Sequence, residues 1–254
     1  MNTYHRMKRV ILTVSMFTVM AGSALAQSDP LWLRRNDISP DGSKIVFNYK
    51  GDIYTVDSKG GKAVQITSNG AHDTDPLWTP DGKEIVFSSY REKSKDIYKV
   101  SAEGGVPVRL TTYPGNETPK TVLQDGRIVF SASIQQDTEY GDFPGEAQLY
   151  VIGKDGGKPS RVTSLPVSEL DVNDKGVIIY EDYKGYEDSF RKHHTSSVTR
   201  DIWVYTPAAG SKDFEIDGQG TFVKLSSFKG ESPSGGWTSP LNTTRAVLAP
   251  TENG

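Results

Sequence analysis

Hydrolytic chemistry needs a nucleophile, a base and an orienting group brought together in space. Beyond its first 26 residues, this 254-residue chain has only three histidines to serve as a base: His72, His193 and His194. Ser196 and Ser197 follow two of them, but in a polar stretch, and no Gly-x-Ser-x-Gly nucleophile elbow occurs. A hydrogen-bonded loop accounts for those hydroxyls, so no catalytic residue is expected. Adjacent histidines on an extended chain point to opposite faces, which makes His193-His194 a poor metal pair. His72 with Asp73 and Asp75 offers a second nitrogen and oxygen set, which a turn capped by short acidic side chains explains equally well. The acidic pairs Glu181/Asp182 and Glu187/Asp188 lack the twelve-residue loop of a calcium site. With no cysteine there is no thiolate ligand and no disulfide. No metal and no other cofactor is expected.

What remains is recognition chemistry. Arg191, Lys192, His193 and His194, with Arg200 after them, form a basic stretch in an acidic protein. Arginine binds carboxylates bidentately, so these five are the candidate contacts for a peptide or a partner protein. The competing account is that they pair with Glu181, Asp182, Glu187 and Asp188 on a solvated face.

The elements that must position these residues are repeated. Residues 38–67 contain ISPDGSKIVF, GDIYTV and GGKAVQIT, and residues 78–111 contain WTPDGKEIVF, KDIYKV and GGVPVRLT. The Pro-Asp-Gly triplets start 40 residues apart, at Pro40 and Pro80. In the second unit, Pro76 to Trp78 is a first strand and Thr79 to Gly82 a turn with Gly at a positive-φ position. Glu84 to Ser88 is a β-branched and aromatic second strand, and Asp96 to Val100 alternates with period two. Gly104-Gly105 makes a hairpin turn, and Val106 to Thr111 is a fourth strand with Val108 and Leu110 facing inward. Four short antiparallel strands in about 40 residues make one propeller blade.

The other copies keep this grammar. Asp41-Gly42, Asp81-Gly82 and Asp125-Gly126 mark the first hairpin of three units. Tyr54, Tyr98, Tyr150 and Trp203 mark the third strand of four. Thr67, Thr111, Thr163 and Ser226 end the fourth strands at spacings of 44, 52 and 63. The growing spacing reflects insertions at 131–147 and 181–199, which carry the aromatics Tyr140, Phe143, Tyr183, Tyr186 and Phe190. The fold predicted is all-β: an antiparallel propeller of about four blades near 30–70, 71–115, 116–165 and 166–230, forming an incomplete ring. Residues 231–254 begin a fifth unit at Trp237 and then depart from the pattern, as a truncated or frameshifted product would.

The first 26 residues have a positive start at Arg6, Lys8 and Arg9, an apolar run from Val10 to about Ala21, and the small-residue site Ala24-Leu25-Ala26. This is the pattern of a secretory signal, and a periplasmic location with no membrane span after cleavage is expected. Removal of the signal leaves 26 basic residues against 32 acidic ones. That balance excludes a general nucleic-acid binder.

Pro30-Leu31-Trp32-Leu33-Arg34 before ISPDG and YKGDIYTV, and the run YEDYKGYEDSFRKHHTSSVTRDIWVY at 180–205, resemble the amino-terminal propeller of bacterial tricorn-protease homologues. The SPDG units alone also resemble TolB-type propellers. The resemblance covers about residues 30–230 and implies an exported serine peptidase. Its propeller would guide or filter peptides or unfolded polypeptide toward a catalytic domain absent from this chain. The catalytic serine, histidine and acid of that family have no positions here to be carried onto. A TolB-like scaffold for an envelope protein partner is the alternative. Because the family uses more than four blades, self-association through uncovered blade faces is also expected.

Overall fold

A computed structural model describes residues 33–134, 147–163, 165, 167–182, 201–210, 214–216 and 219–226. These form sixteen strands in four antiparallel meanders, and together they make a four-bladed β-propeller. Blade 1 holds β1 (Leu33–Ile38), β2 (Lys44–Tyr49), β3 (Asp52–Asp57) and β4 (Val64–Gln65). Blade 2 holds β5 (Asp73–Trp78), β6 (Glu84–Ser89), β7 (Asp96–Ser101) and β8 (Val108–Arg109). Blade 3 holds β9 (Glu117–Val122), β10 (Ile128–Ala132), β11 (Gln148–Gly153) and β12 (Gly156–Thr163). Blade 4 holds β13 (Val167–Val172), β14 (Ile178–Asp182), β15 (Ile202–Thr206) and β16 (Thr221–Lys224).

Each first hairpin is set by one acidic or amide side chain and one glycine. Asp41 Oδ1 accepts the Ser39 hydroxyl at 2.6 Å and the Ser43 N–H at 3.0 Å. These bonds, the Ser39 hydroxyl foremost, hold its carboxyl down at about 2. Asp81 repeats the arrangement with Thr79 and Lys83. The sequence pattern marks no such turn in blade 4, yet one is present. Asn173 Oδ1 accepts from the N–H of Lys175 and Val177, and Gly176 N–H closes on the Asn173 carbonyl at φ 76°. Asn173 holds the place of Ser39 and Thr79, and Lys175 stands where the other turns have aspartate, which is why a search for Asp-Gly misses it.

The hydroxyl series at the blade ends also has a physical role. Thr67, Thr111 and Ser226 each accept an N–H at the start of the third strand of their own blade, from Ile53, Ile97 and Ile202, the first two bonds being buried. Beside that N–H, an aspartate reaches across to the fourth strand. Asp52 accepts from Gln65 at 3.0 Å, Asp96 pairs with Arg109 at 2.9 Å, and Asp201 pairs with Lys224 at 2.8 Å. Thr111 additionally donates to the buried carboxyl of Glu117, the first residue of blade 3. Thr111→Val would leave a buried N–H and a buried carboxyl without this hydroxyl. The expected loss is about 2–3 kcal/mol in urea unfolding, against a few tenths for a surface threonine.

Cross-strand aromatic pairs fill the blades: Phe47 opposite Tyr54, Phe87 opposite Tyr98, Phe130 opposite Tyr150 and Tyr180 opposite Trp203. Blades then stack in one sense. Val46 and Ile53 of blade 1 meet Trp78, Ile85, Phe87 and Tyr98 of blade 2. Val86 and Ile97 of blade 2 meet Ile128, Phe130 and Tyr150 of blade 3. Val129 and Leu149 of blade 3 meet Ile178, Tyr180 and Tyr205 of blade 4. Each cluster removes apolar surface from water on two blades at once. Val108 does not face inward as its place in the pattern suggests. It is 59% exposed, because β8 runs for only two residues before the chain turns to bury Leu110.

Candidate functional site

The first strand of each blade lies innermost, so its free edge looks into the centre of the propeller. β5 packs against both β1 and β9, and β9 packs against β13. All four inner strands carry a bulge against their second strand. Pairing skips Arg35 in β1, Asp75-Pro76 in β5, Lys120 in β9 and Ser168 in β13. A bulge re-aims a side chain that regular alternation would send into the blade interface. Pro76 and Pro119 fit here, because a free inner edge leaves positions where no ladder N–H is required.

Residues at and beside these bulges meet. Lys95 Nζ, from the loop before β7, lies 2.8 Å from Asp75 Oδ2 and donates to Thr118 Oγ1 at 2.9 Å. Asp75 Oδ1 lies 3.3 Å from Arg35 Nε, and Arg35 Nη1 lies 3.9 Å from Glu169 Oε1. Glu169 Oε1 takes Lys120 Nζ at 3.0 Å. The chain Lys95–Asp75–Arg35–Glu169–Lys120 thus draws on all four blades and sets three cations against two carboxylates. Two of its members hold left-handed backbones, Arg35 at φ 42° and Asp75 at φ 54°. Non-glycine residues adopt that region at a cost, and they cluster at functional sites.

Two residues further along β1 and β13, both positions are acidic. Asp37 of β1 accepts the Trp78 N–H at 2.8 Å and its neighbour's N–H at 2.9 Å. Asp171 of β13 accepts the Val172 N–H at 2.8 Å. Burial pushes both carboxyls up to about 6, and the charge of Asp37 adds to the rise at Asp171. The inner wall therefore presents a basic-rich level beside an acidic one. All five linked residues are charged, so the chemistry this level offers is pairing with charged groups.

The basic stretch predicted for contact, Arg191, Lys192, His193, His194 and Arg200, lies outside the described residues. The same holds for the insertion aromatics and for the first 26 residues. His72, Asp73 and Asp75 are described and do not converge on one point. Asp73 is fully buried against Arg91 at 2.8 Å, and Asp75 belongs to the charged chain. His72 sits beside Gly51 where the chain passes from blade 1 to blade 2. Among the described residues, no three histidine or acidic side chains are grouped as metal ligands. Nor is any helix among them long and apolar enough to cross a membrane.

The inner ring itself was not predicted. Its signal is nevertheless in the sequence. Arg35, Asp75, Lys120 and Glu169 each stand two or three residues before the end of an inner strand, a charged residue at a matching place in all four units.

The fold has counterparts among solved structures. It superposes on tricorn protease with a TM-score of 0.58 at 20% identity, covering 80% of this chain and 19% of that one. For a TolB, described as putative, from Agrobacterium tumefaciens the score is 0.54 at 22% identity, covering 76% of this chain and 64% of that one. For TolB from Acinetobacter baumannii it is 0.53 at 19%, covering 76% and 43%. The chain thus spans less than two thirds of each of these proteins. At such identities the likeness establishes the architecture alone. The sequence itself is more specific: residues 30–224 match the tricorn protease N-terminal beta propeller domain, and the chain belongs to that family.

Proposed function

We propose that this chain is the amino-terminal propeller portion of an exported tricorn-like serine peptidase, in which it guides or filters peptides and the bond-breaking residues belong to another domain. The family match over residues 30–224 carries this reading. The charged inner wall supports it, because a peptide is a dipolar chain that a basic level beside an acidic level can orient. Export is supported by the leader pattern at residues 1–26. A scaffold that binds an envelope protein is the second reading, favoured by the likeness to the two TolB structures.

Purified mature chain should bind members of a peptide library without cleaving them. Turnover abolished by a serine-directed inhibitor would overturn the division of labour. Genomic DNA beyond the codon for Gly254 separates the two readings: a peptidase region favours the first, and its absence together with capture of a defined envelope protein favours the second.

A further inference from the structure

The charged chain on the inner wall is unevenly held, and this unevenness identifies a ligand-facing member. Lys95 and Lys120 are 13% and 11% exposed, and they sit 2.8 and 3.0 Å from their carboxylates. Arg35 is 63% exposed, and its contacts are long, 3.3 Å through Nε and 3.9 Å through Nη1. A guanidinium gains most from two short parallel bonds to one carboxylate, and Arg35 has neither. It is nonetheless placed by a bulge and a left-handed backbone that an arginine adopts at a cost. A residue serving stability alone would not need the strain, and an arginine placed for solubility would not need the bulge. The level also holds one more cation than carboxylates, so an added carboxylate completes the pairing.

We propose that Arg35 is a carboxylate-binding residue: a carboxylate of a peptide ligand docks on its guanidinium fork at the inner bulge level. Lys120 and Lys95 hold Glu169 and Asp75 in place behind it. The proposal rests on the peptide-guiding reading for its ligand, but the site is defined by carboxylate chemistry and can be tested apart from that reading. A terminal carboxylate and an acidic side chain offer the same group, so the probes must separate them.

The test is calorimetric titration of the mature chain with four probes: N-acetyl-trialanine acid, its carboxamide, an N-acetylated amide with a central glutamate, and glutarate. The acid should bind and the carboxamide should not. The glutamate peptide then reports whether a side chain suffices. Arg35→Gly suits the left-handed backbone and should melt no lower than the parent while binding the acid roughly tenfold or more weaker. Arg35→Asn, also tolerant of that backbone, is the second variant and should behave alike. Lys44→Ala, on β2 with a partner at Glu103, should bind as the parent does. Equal binding of acid and carboxamide would overturn the proposal. So would unchanged binding by both Arg35 variants, or a melting temperature well below the parent for both, which would make Arg35 a structural link. Arg35-dependent binding of glutarate without binding of either peptide would keep the site and remove the peptide reading. Peptide binding insensitive to Arg35 would do the reverse.

Discussion

Phe130→Ala is expected to cost about 3–5 kcal/mol of stability, while the same change at Phe47 costs about 1–2 kcal/mol. The two residues hold the same place in the repeat. Each lies in the second strand of its blade, opposite the third-strand tyrosine, with ring centroids 5.8 Å apart for Phe130–Tyr150 and 5.9 Å for Phe47–Tyr54. Local chemistry is therefore matched, and the difference lies in what covers the ring. Phe130 is fully buried, because its face packs on Val86 and Ile97 of blade 2. Phe47 is half-buried, and the apolar cluster of blade 1 is built from Val46 and Ile53 on its other face. Removing Phe130 opens a cavity between two blades, whereas removing Phe47 mostly returns surface to water. Urea unfolding of the two variants, followed by tryptophan fluorescence and by circular dichroism, measures the ratio. Equal losses would mean that another element covers blade 1, and the comparison would fail. Phe87→Ala serves as a third point and should resemble Phe130→Ala, since Phe87 is also fully buried between blades.

The same contrast explains what was legible in the sequence. Turn chemistry, strand alternation and the aromatic of the third strand are local, so Pro40-Asp41-Gly42, Ile85-Val86-Phe87 and Tyr98 sufficed to predict the blade. The hydroxyl series Thr67, Thr111, Thr163 and Ser226 was visible as spacing. Its role was not, because the N–H groups it satisfies lie 14 to 24 residues earlier in blades 1, 2 and 4. The inner ring was harder still. Arg35 meets Glu169 because β1 and β13, from different blades, come together at the centre, and a charged residue at a matching place in each unit does not by itself say that it faces that centre. Lys95 contributes from a loop that reads as a solvated connection, yet its ammonium is nearly buried between Asp75 and Thr118. Val108 shows the opposite failure: the alternation was sound, but the strand stopped before alternation could govern it.

The second large effect is a pH dependence centred on Glu117. This carboxyl is 1% exposed at the entry to blade 3, where its backbone is tied to Lys95 and Ser88 and its side chain accepts from Thr111. Burial first, then the nearby charge of Asp96, pushes it up from 4.5 to about 7, while the Thr111 hydroxyl and Arg109 pull the other way. A carboxyl raised on folding binds more protons in the folded state than in the unfolded one. Its contribution is therefore fully present below the unfolded value near 4.5 and is lost as pH rises through about 7. Asp37 and Asp171, raised to about 6, act in the same direction over a lower window. Glu117 alone corresponds to about 2–3 kcal/mol, present at pH 4.5 and absent at pH 8. Glu117→Gln keeps an acceptor for Thr111 and removes the titration. The variant should therefore be less pH-sensitive between 4.5 and 7, and about 1–3 kcal/mol more stable than the parent at pH 8. Denaturant midpoints across that range, read for both proteins in one buffer series, decide the matter. A parent whose stability rises steadily from pH 5 to 8, with Glu117→Gln following in parallel, would show that the carboxyl is ionised in the fold. Arg109 and the Thr111 hydroxyl would then have to be offsetting its charge. Asp96→Asn separates the two cases: it removes the repulsion at Glu117, so with a protonated Glu117 the loss of stability moves to lower pH, and with an ionised one only the pair with Arg109 is lost.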